Sequence, residues 1–245
     1  MNDLDAHRLR EALPDWVPEC RYLRRTDSTN RVAMAWASEG APHGSLVLAD
    51  FQTAGRGRLG REWTAPAGSS LLFSLIVRPG GRPDSWPLLS LAAGIAVCEA
   101  LTELGLQPGL KWPNDVLLDG KKTAGILAEA AGGVVILGIG VNVGRVELPE
   151  PLAATATSLE TFAGRAFNRL EVLSRLVAAL SRQVDGPVDA IPARCRDWSV
   201  TLGKQVRVET GTGSIEARAV DIDISGGLVL AGGHVVTAGD VLQLR

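Results

Sequence analysis

Cysteine and histidine are scarce in this 245-residue chain, and their placement excludes two architectures at once. Cys20, Cys98 and Cys195 are odd in number, far apart and never in CxxC spacing, so neither a disulfide framework nor a structural zinc site is expected. His7, His43 and His234 stand neither four residues from one another nor beside a cysteine, which leaves no metal cage built from side chains. Long apolar runs are missing too. The most apolar stretch, Ala130 to Val143, is glycine-rich and about 14 residues long, short of the roughly 20 that cross a bilayer. The opening MNDLDAHRLREALPDW carries acids and has no apolar centre, unlike a secretory signal. Nor is there an excess of positive charge. The 25 Lys and Arg face 27 Asp and Glu, a net −2 with pI near 6.0, so no global field is available to hold nucleic acid. What is present is 46% hydrophobic residues, enough to bury a substantial core and fold alone, and a reducing cytoplasm is the expected compartment.

The apolar patterning predicts a helix over Ser28–Ala37, with Ser28, Thr29 or Asn30 as its cap, after an irregular leader. Strands are expected over Ser45–Asp50 and Ser69–Val77, the second well buried, with a Gly/Arg loop from Gln52 to Arg61 between them. Leu88, Leu91, Ala92, Ile95, Cys98 and Leu101 recur at three and four, which predicts an amphipathic helix over 87–104. Asp119-Gly120 between extended segments predicts a tight hairpin, followed by a strand over Val134–Val143 and a helix over Leu170–Val184. Beyond Trp198 the text changes to short strands with glycine-rich turns, KQVRVET, SIEARAVDI, GLVLAG, HVVTAG and VLQLR, the pattern of a small β-barrel. The expected domains are therefore 1–197 and 198–245.

Three segments carry chemistry. In Gly55-Arg56-Gly57-Arg58-Leu59-Gly60-Arg61 the glycines let backbone N–H groups approach an anion while guanidinium forks neutralise it, and phosphate is the natural guest. The string also fits GxGxxG after a strand, but Glu62 to Gly68 shows no helical period, and a dinucleotide fold needs a helix there. A solvated loop with idle arginines stays open as an alternative. The second segment, Lys111-Trp112-Pro113-Asn114-Asp115, runs into the hairpin and Lys122-Thr123-Ala124-Gly125-Ile126-Leu127. It is no P-loop, because Gly120-Lys121 would require glycine at position 115. Lys122 reads most simply as an edge-strand lysine that discourages aggregation. In the third, Leu137-Gly138-Ile139-Gly140-Val141-Asn142, an amide ends a buried strand and must bond a ligand or local backbone. Trp63, Trp86, Trp112 and Trp198 are individually uninformative, since tryptophan is more often core than ligand stack.

Taken in order, TDSTN, QTAGRGRLGREW, KWPNDV, KTAGIL and GIGVNV resemble the biotin protein ligase (biotin–acetyl-CoA-carboxylase ligase) family over about residues 20–245. The resemblance implies an α+β fold, with a mixed central β-sheet flanked by helices as in class II aminoacyl-tRNA synthetases, then a small C-terminal SH3-like barrel. It implies an enzyme that uses ATP to convert biotin to biotinyl-5′-AMP and pyrophosphate, then passes biotin to one lysine of a biotin carboxyl carrier protein. By the same resemblance Ser28, Thr29 and Gln52 hold the ureido ring or line the biotin pocket, with Asn30 and Gly55 also on the biotin side, and Gly125, Leu127, Gly138 and Gly140 form strand-borne walls. Arg56, Arg58 and Arg61 match a loop that closes over biotin and the phosphates, and Trp63 matches the aromatic that packs on the adenylate. Asn114 and Asn142 match nucleotide-side amides. Lys122 matches the lysine contacting both the biotin carboxylate and the α-phosphate, and Asp115 an acid beside the reacting carbonyl. Lys122, Arg58 and Asp115 are thus the expected catalytic set. Mg²⁺ is expected to arrive on the ATP phosphates with few protein ligands.

These roles answer a physical need, because joining a carboxylate to the α-phosphorus brings two anions together and requires fixed positive charge. A hydrolysable adenylate also requires exclusion of water, which a loop hinged at Gly55, Gly57 and Gly60 could provide. About 25 residues precede TDSTN, too few for a winged helix-turn-helix, so no DNA binding is expected. Thr123 stands where leucine is common, and Glu62 precedes Trp63; neither change removes an expected catalytic group. A lipoate ligase would be expected to show an RRxxGGGxV pocket in place of GRGRLGREW, and a non-catalytic biotin sensor would be expected to lack the lysine. Monomer and weak homodimer both stay open.

Overall fold

The structure is a computed structural model that describes residues 4–80, 85–146, 149–150, 152–211 and 213–244. Its centre is a seven-stranded sheet in the order β1-β2-β3-β7-β6-β5-β4, with β1 (Cys20–Leu23), β2 (Leu46–Ala49), β3 (Ser70–Val77), β4 (Pro108–Lys111), β5 (Asp115–Leu118), β6 (Lys121–Ala131) and β7 (Val134–Asn142). Only β1 and β2 run parallel, joined by the crossover helix α2 (Thr29–Ser38), and the other pairs are antiparallel. The sheet is mixed, as expected. Every residue of β3 is buried, which explains its unbroken apolar text, SLLFSLIV, since helices cover both faces.

One face carries α2, which seats Ala33, Trp36 and Ala37 against Val47, Ile76 and Ile136. The other carries α3 (Leu88–Glu103), backed by α6 (Arg169–Val184) and α7 (Ile191–Trp198). Helix α3 is not amphipathic, contrary to what its periodicity suggested, but buried on nearly every side. Twelve of its 16 residues are buried, because the sheet covers one side and α6 and α7 the others. Gly94 lets Leu110 approach, since a Cβ there would lie 2.6 Å from a Leu110 methyl. The leader is also more regular than expected. It forms α1 (Ala6–Ala12), capped by Asp5 and anchored by the buried Leu9, and the edge strand β1, which pairs with β2. Short helices α4 (Leu152–Thr155) and α5 (Leu159–Ala163) follow β7.

The hairpin between β5 and β6 turns at Asp119 (φ 47°) and Gly120 (φ 75°), the two positive φ angles its sequence implied. Lys122 is not on an edge strand, because β6 is hydrogen-bonded to β5 and β7 on its two sides. The C-terminal strands, β8 (Gln205–Thr210), β9 (Gly213–Ile222), β10 (Leu228–Leu230), β11 (Val235–Val236) and β12 (Asp240–Gln243), form a separate five-stranded antiparallel sheet ordered β11-β10-β9-β8-β12. Arg245, in the last expected strand, lies outside the described residues. Trp112 joins the two parts. Its backbone N–H donates to Thr201 Oγ1 at 3.0 Å and its indole N–H to the Gly226 carbonyl at 2.9 Å, so this tryptophan is core, as its residue type suggested.

Candidate active site

A cavity opens where the α2 N-terminus, the loop after β2, and strands β5, β6 and β7 converge. Its lining includes Ser28, Thr29, Asn30, Gln52, Arg56, Arg58, Arg61, Trp63, Asn114, Asp115, Lys122, Gly125, Leu127, Gly138 and Gly140. Two expected residues do not line it. Gly55 sits behind the loop, where its carbonyl accepts from the Trp63 N–H and a Cβ would lie 2.3 Å from the Trp63 carbonyl oxygen. Asn142 lines a neighbouring cavity with Ser70, Lys121 and Thr157, one step along β7 beyond Gly140, and donates to the Thr157 carbonyl at 3.1 Å.

Ser28 occupies the N-cap position of α2, yet its side chain makes no capping bond, so helix capping leaves this hydroxyl unused. Thr29 is tied to Gln52, whose Oε1 accepts from Thr29 N at 2.7 Å and Thr29 Oγ1 at 3.1 Å.

Lys122 reaches the cavity through a defect in strand pairing. Asp115 pairs with Gly125 and Val116 with Ala124, but Leu117 pairs with Lys122, so the buried Thr123 is an extra residue on β6. Three positions apart in a regular strand, Lys122 and Gly125 would face opposite sides. The bulge turns Lys122 to the side of Gly125 and Asp115, and its Nζ lies 2.6 Å from Asp115 Oδ1.

The loop arginines are each partnered. Arg56 donates to Glu129 at 2.9 Å, Arg58 to Asn114 Oδ1 at 3.1 Å and to the Gly239 carbonyl at 3.2 Å, and Arg61 to Asp240. Burial pulls the Arg58 pKa below the usual guanidinium range, against the opposing attraction of Asp240 and Asp115. The hydrogen bond to Asp240 raises that of Arg61. Trp63 is not a core residue. Its ring lies over Gly125 and Gly140 with Lys122 Nζ 5.5 Å from the ring centroid, and its buried Nε1 has no hydrogen-bond partner among the described residues.

Three residues around the site were not among those expected. Glu129 follows Gly125 and Leu127 at period two on one strand, a signal that was legible. Ser74, a hydroxyl inside an otherwise apolar strand, was a weaker one. Asp240 had none, since it comes from the separate C-terminal sheet.

The sequence and the fold have close counterparts. The profile of the biotin/lipoate A/B protein ligase family matches residues 22–145, and that of the biotin protein ligase C-terminal domain matches 201–242. A biotin–[acetyl-CoA-carboxylase] ligase of Mycobacterium tuberculosis is 43% identical over 99% of this chain and 96% of its own length. One from Paracoccus denitrificans is 38% identical over 89% of this chain and 98% of its own. The structure of the Aquifex aeolicus biotin protein ligase in complex with biotin and ATP superposes with a TM-score of 0.82 at 31% identity, covering 93% of this chain and 99% of that one. With half of the chain matched by the family profile and nearly all of it by these relatives, the chain belongs to the biotin/lipoate A/B protein ligase family.

Proposed function

We propose that this chain is an ATP-dependent biotin protein ligase that forms biotinyl-5′-AMP and transfers biotin to a lysine of a biotin carboxyl carrier protein. The observation that carries the reading is the convergence of Lys122, Asp115 and Arg58 in one cavity whose lining also holds the polar cluster Ser28, Thr29 and Gln52.

In the first step a biotin carboxylate oxygen attacks the α-phosphorus, a P–O bond forms, and the bond to pyrophosphate breaks. Lys122 and Arg58 supply the positive charge that offsets the repulsion between the two anions. Lys122 leaves Asp115 for the incoming carboxylate and phosphate. Asp115 is thereby released to accept a proton in the second step, when the acceptor amine attacks the acyl carbon and AMP departs. Trp63 has an indole N–H without a partner among the described residues and a ring able to pack on the adenylate; Asn114 would serve the nucleotide side by holding Arg58, and Asn142 would reach it from the neighbouring cavity. Gly125, Leu127, Gly138 and Gly140 wall the biotin side, and Arg56 and Arg61 close the loop over it. No group of three or more His, Cys, Asp or Glu that could hold a metal exists among the described residues. Mg²⁺ is proposed to arrive on the triphosphate and would neutralise charge on the phosphates, with Asp115 and Asp240 the aspartates that line the cavity.

The proposed domains are a ligase unit, 1–197, and a C-terminal unit, 198–245. The second is read as an SH3-like barrel because Val206, Val208, Ala219, Ile222, Leu228, Leu230, Val236 and Val241 are all buried and β9 and β10 are offset by an irregularity, as a curled sheet requires. No described helix is long and apolar enough to cross a membrane, and the net charge of −2 supports an enzyme that does not bind DNA. A cytoplasmic site of action is proposed from the same composition. Incubation with biotin, ATP, Mg²⁺ and a biotin carboxyl carrier domain is expected to label a single acceptor lysine by mass spectrometry. Absence of labelling would reject the reading.

A further inference from the structure

We infer that Glu129 is a positioning residue that couples occupancy of the biotin end of the cavity to the arginine loop, an inference that rests on the ligase reading above. One carboxylate oxygen joins the two regions. Glu129 Oε2 accepts from Asn30 Nδ2 at 2.7 Å, from the start of α2, and from Arg56 at 2.9 Å, from the loop. Asn30 is buried, and its Nδ2 also donates to the Leu127 carbonyl at 3.3 Å. Its Oδ1 lies 2.6 Å from Ser74 Oγ, a wholly buried hydroxyl that is also 2.8 Å from Thr29 Oγ1. Thr29 in turn bonds Gln52. A continuous polar path therefore runs from Gln52 through Thr29, Ser74, Asn30 and Glu129 to Arg56.

The strand scaffold is built to admit this path. Ser74 on β3 pairs with Gly138 on β7, and a Cβ at Gly138 would lie 2.1 Å from Asn30 Oδ1. The side chain missing at Gly138 makes room for the Asn30 amide. Asn30 Oδ1 can only accept, so the Ser74 proton is committed to it, and Thr29 has one proton to share between Gln52 and Ser74. A ligand that engages Gln52 commits the Thr29 proton to Ser74, which orders the Asn30 amide and fixes the Glu129 carboxylate where Arg56 meets it. Occupancy of the ring pocket is thus communicated to the loop through hydrogen bonds with buried members rather than by direct contact alone.

The test is biotin titration by calorimetry without ATP, on the wild type, Glu129→Gln, Arg56→Ala and the double variant, with melting curves for each. Glu129→Gln keeps the size and can still accept from Asn30 but removes the charge that Arg56 meets. Each single change is expected to weaken biotin about tenfold, with the double variant no weaker than either, as residues acting as a unit require. In turnover, Glu129→Gln is expected to raise KM for biotin by more than it lowers kcat. Tryptic cleavage at the loop arginines, slowed by biotin in the wild type, is expected to lose that protection in the variant. Should Glu129→Gln fail to fold, Glu129→Asp, which withdraws the charge by one methylene, carries the same measurements. Wild-type affinity in the Glu129 variant, or additive effects in the double variant, would overturn the coupling while leaving the ligase reading intact. A wild type that binds no biotin would overturn both.

Discussion

Gly125 on β6 lies directly opposite Gly140 on β7, and the indole of Trp63 rests on the bare patch that this pair leaves in the sheet. A Cβ at Gly140 would come within 2.6 Å of the ring and one at Gly125 within 2.9 Å. Neither glycine is needed for a turn, since neither has a positive φ. Their value is the close approach of an aromatic face to a backbone.

Gly140→Ala is therefore expected to lift Trp63 from the sheet. On the proposed reading KM for ATP rises about tenfold or more, a loss of about 1.4 kcal/mol. Steady-state kinetics with varied ATP, read beside a melting curve, checks this. An unchanged KM would remove the stacking role of Trp63.

Lys122→Met keeps most of the apolar stem and deletes the charge that meets Asp115. The expected result is a fall of about 10²–10³ in adenylate formation, the scale of losing one fixed stabilising donor. Because the pair is partly exposed, with Lys122 at 33%, its contribution to stability is small. Biotin-dependent pyrophosphate exchange measures the first quantity and urea denaturation the second. Activity equal to the wild type would sink the assignment.

Asp240→Asn tests how the C-terminal sheet holds the loop. Arg61, whose side chain is 59% exposed, loses its ionic partner, and the loop is expected to become several-fold more sensitive to trypsin without ligand. The melting temperature is expected to move little, since exposed pairs contribute about 0–1 kcal/mol. Equal digestion rates in the two proteins would show that Asp240 does not restrain the loop.

The thiols give a pH dependence. Burial pushes Cys20 up to about 11 and Cys195 up to about 12, and raises Cys98 as well, with Cys195 opposing its ionisation further. In the unfolded chain each ionises near 9.0. A folded pKa above the unfolded one means the folded state retains protons longer, so this contribution to stability is fully present below about pH 9 and is lost as pH rises toward the folded values. Native protein is expected to resist iodoacetamide at pH 8 and to label readily in denaturant. Urea midpoints should fall between about pH 9 and 11, and Cys98→Ala with Cys195→Ala should flatten that slope. Rapid labelling of the native protein at pH 8 would contradict the burial.

Much of the architecture was legible because its signals are local. The period of Leu170–Val184, the buried run of β3 and the Asp119-Gly120 turn each involve residues within a few positions of one another. The same holds for the chemistry of the arginine loop. Where neighbours were distant the local signal misled. The helix over Leu88–Glu103 has an apolar periodicity that suggests one wet face, but α6 and α7 close over it.

By itself the sequence determined the main strands and the three longest helices, though not α1 or β1, and also which residue types stand ready for an anion and which family the chain resembles, because propensity, alternation and motif spacing are properties of neighbours. Only the tertiary structure decided that Lys122 faces the cavity, since a one-residue bulge reverses the side that regular alternation would assign. Only it brought Glu129 to Arg56 and Asp240 to Arg61, 73 and 179 positions away in the chain. Contacts at such separation depend on strand register and on how two sheets dock, and no local pattern encodes either.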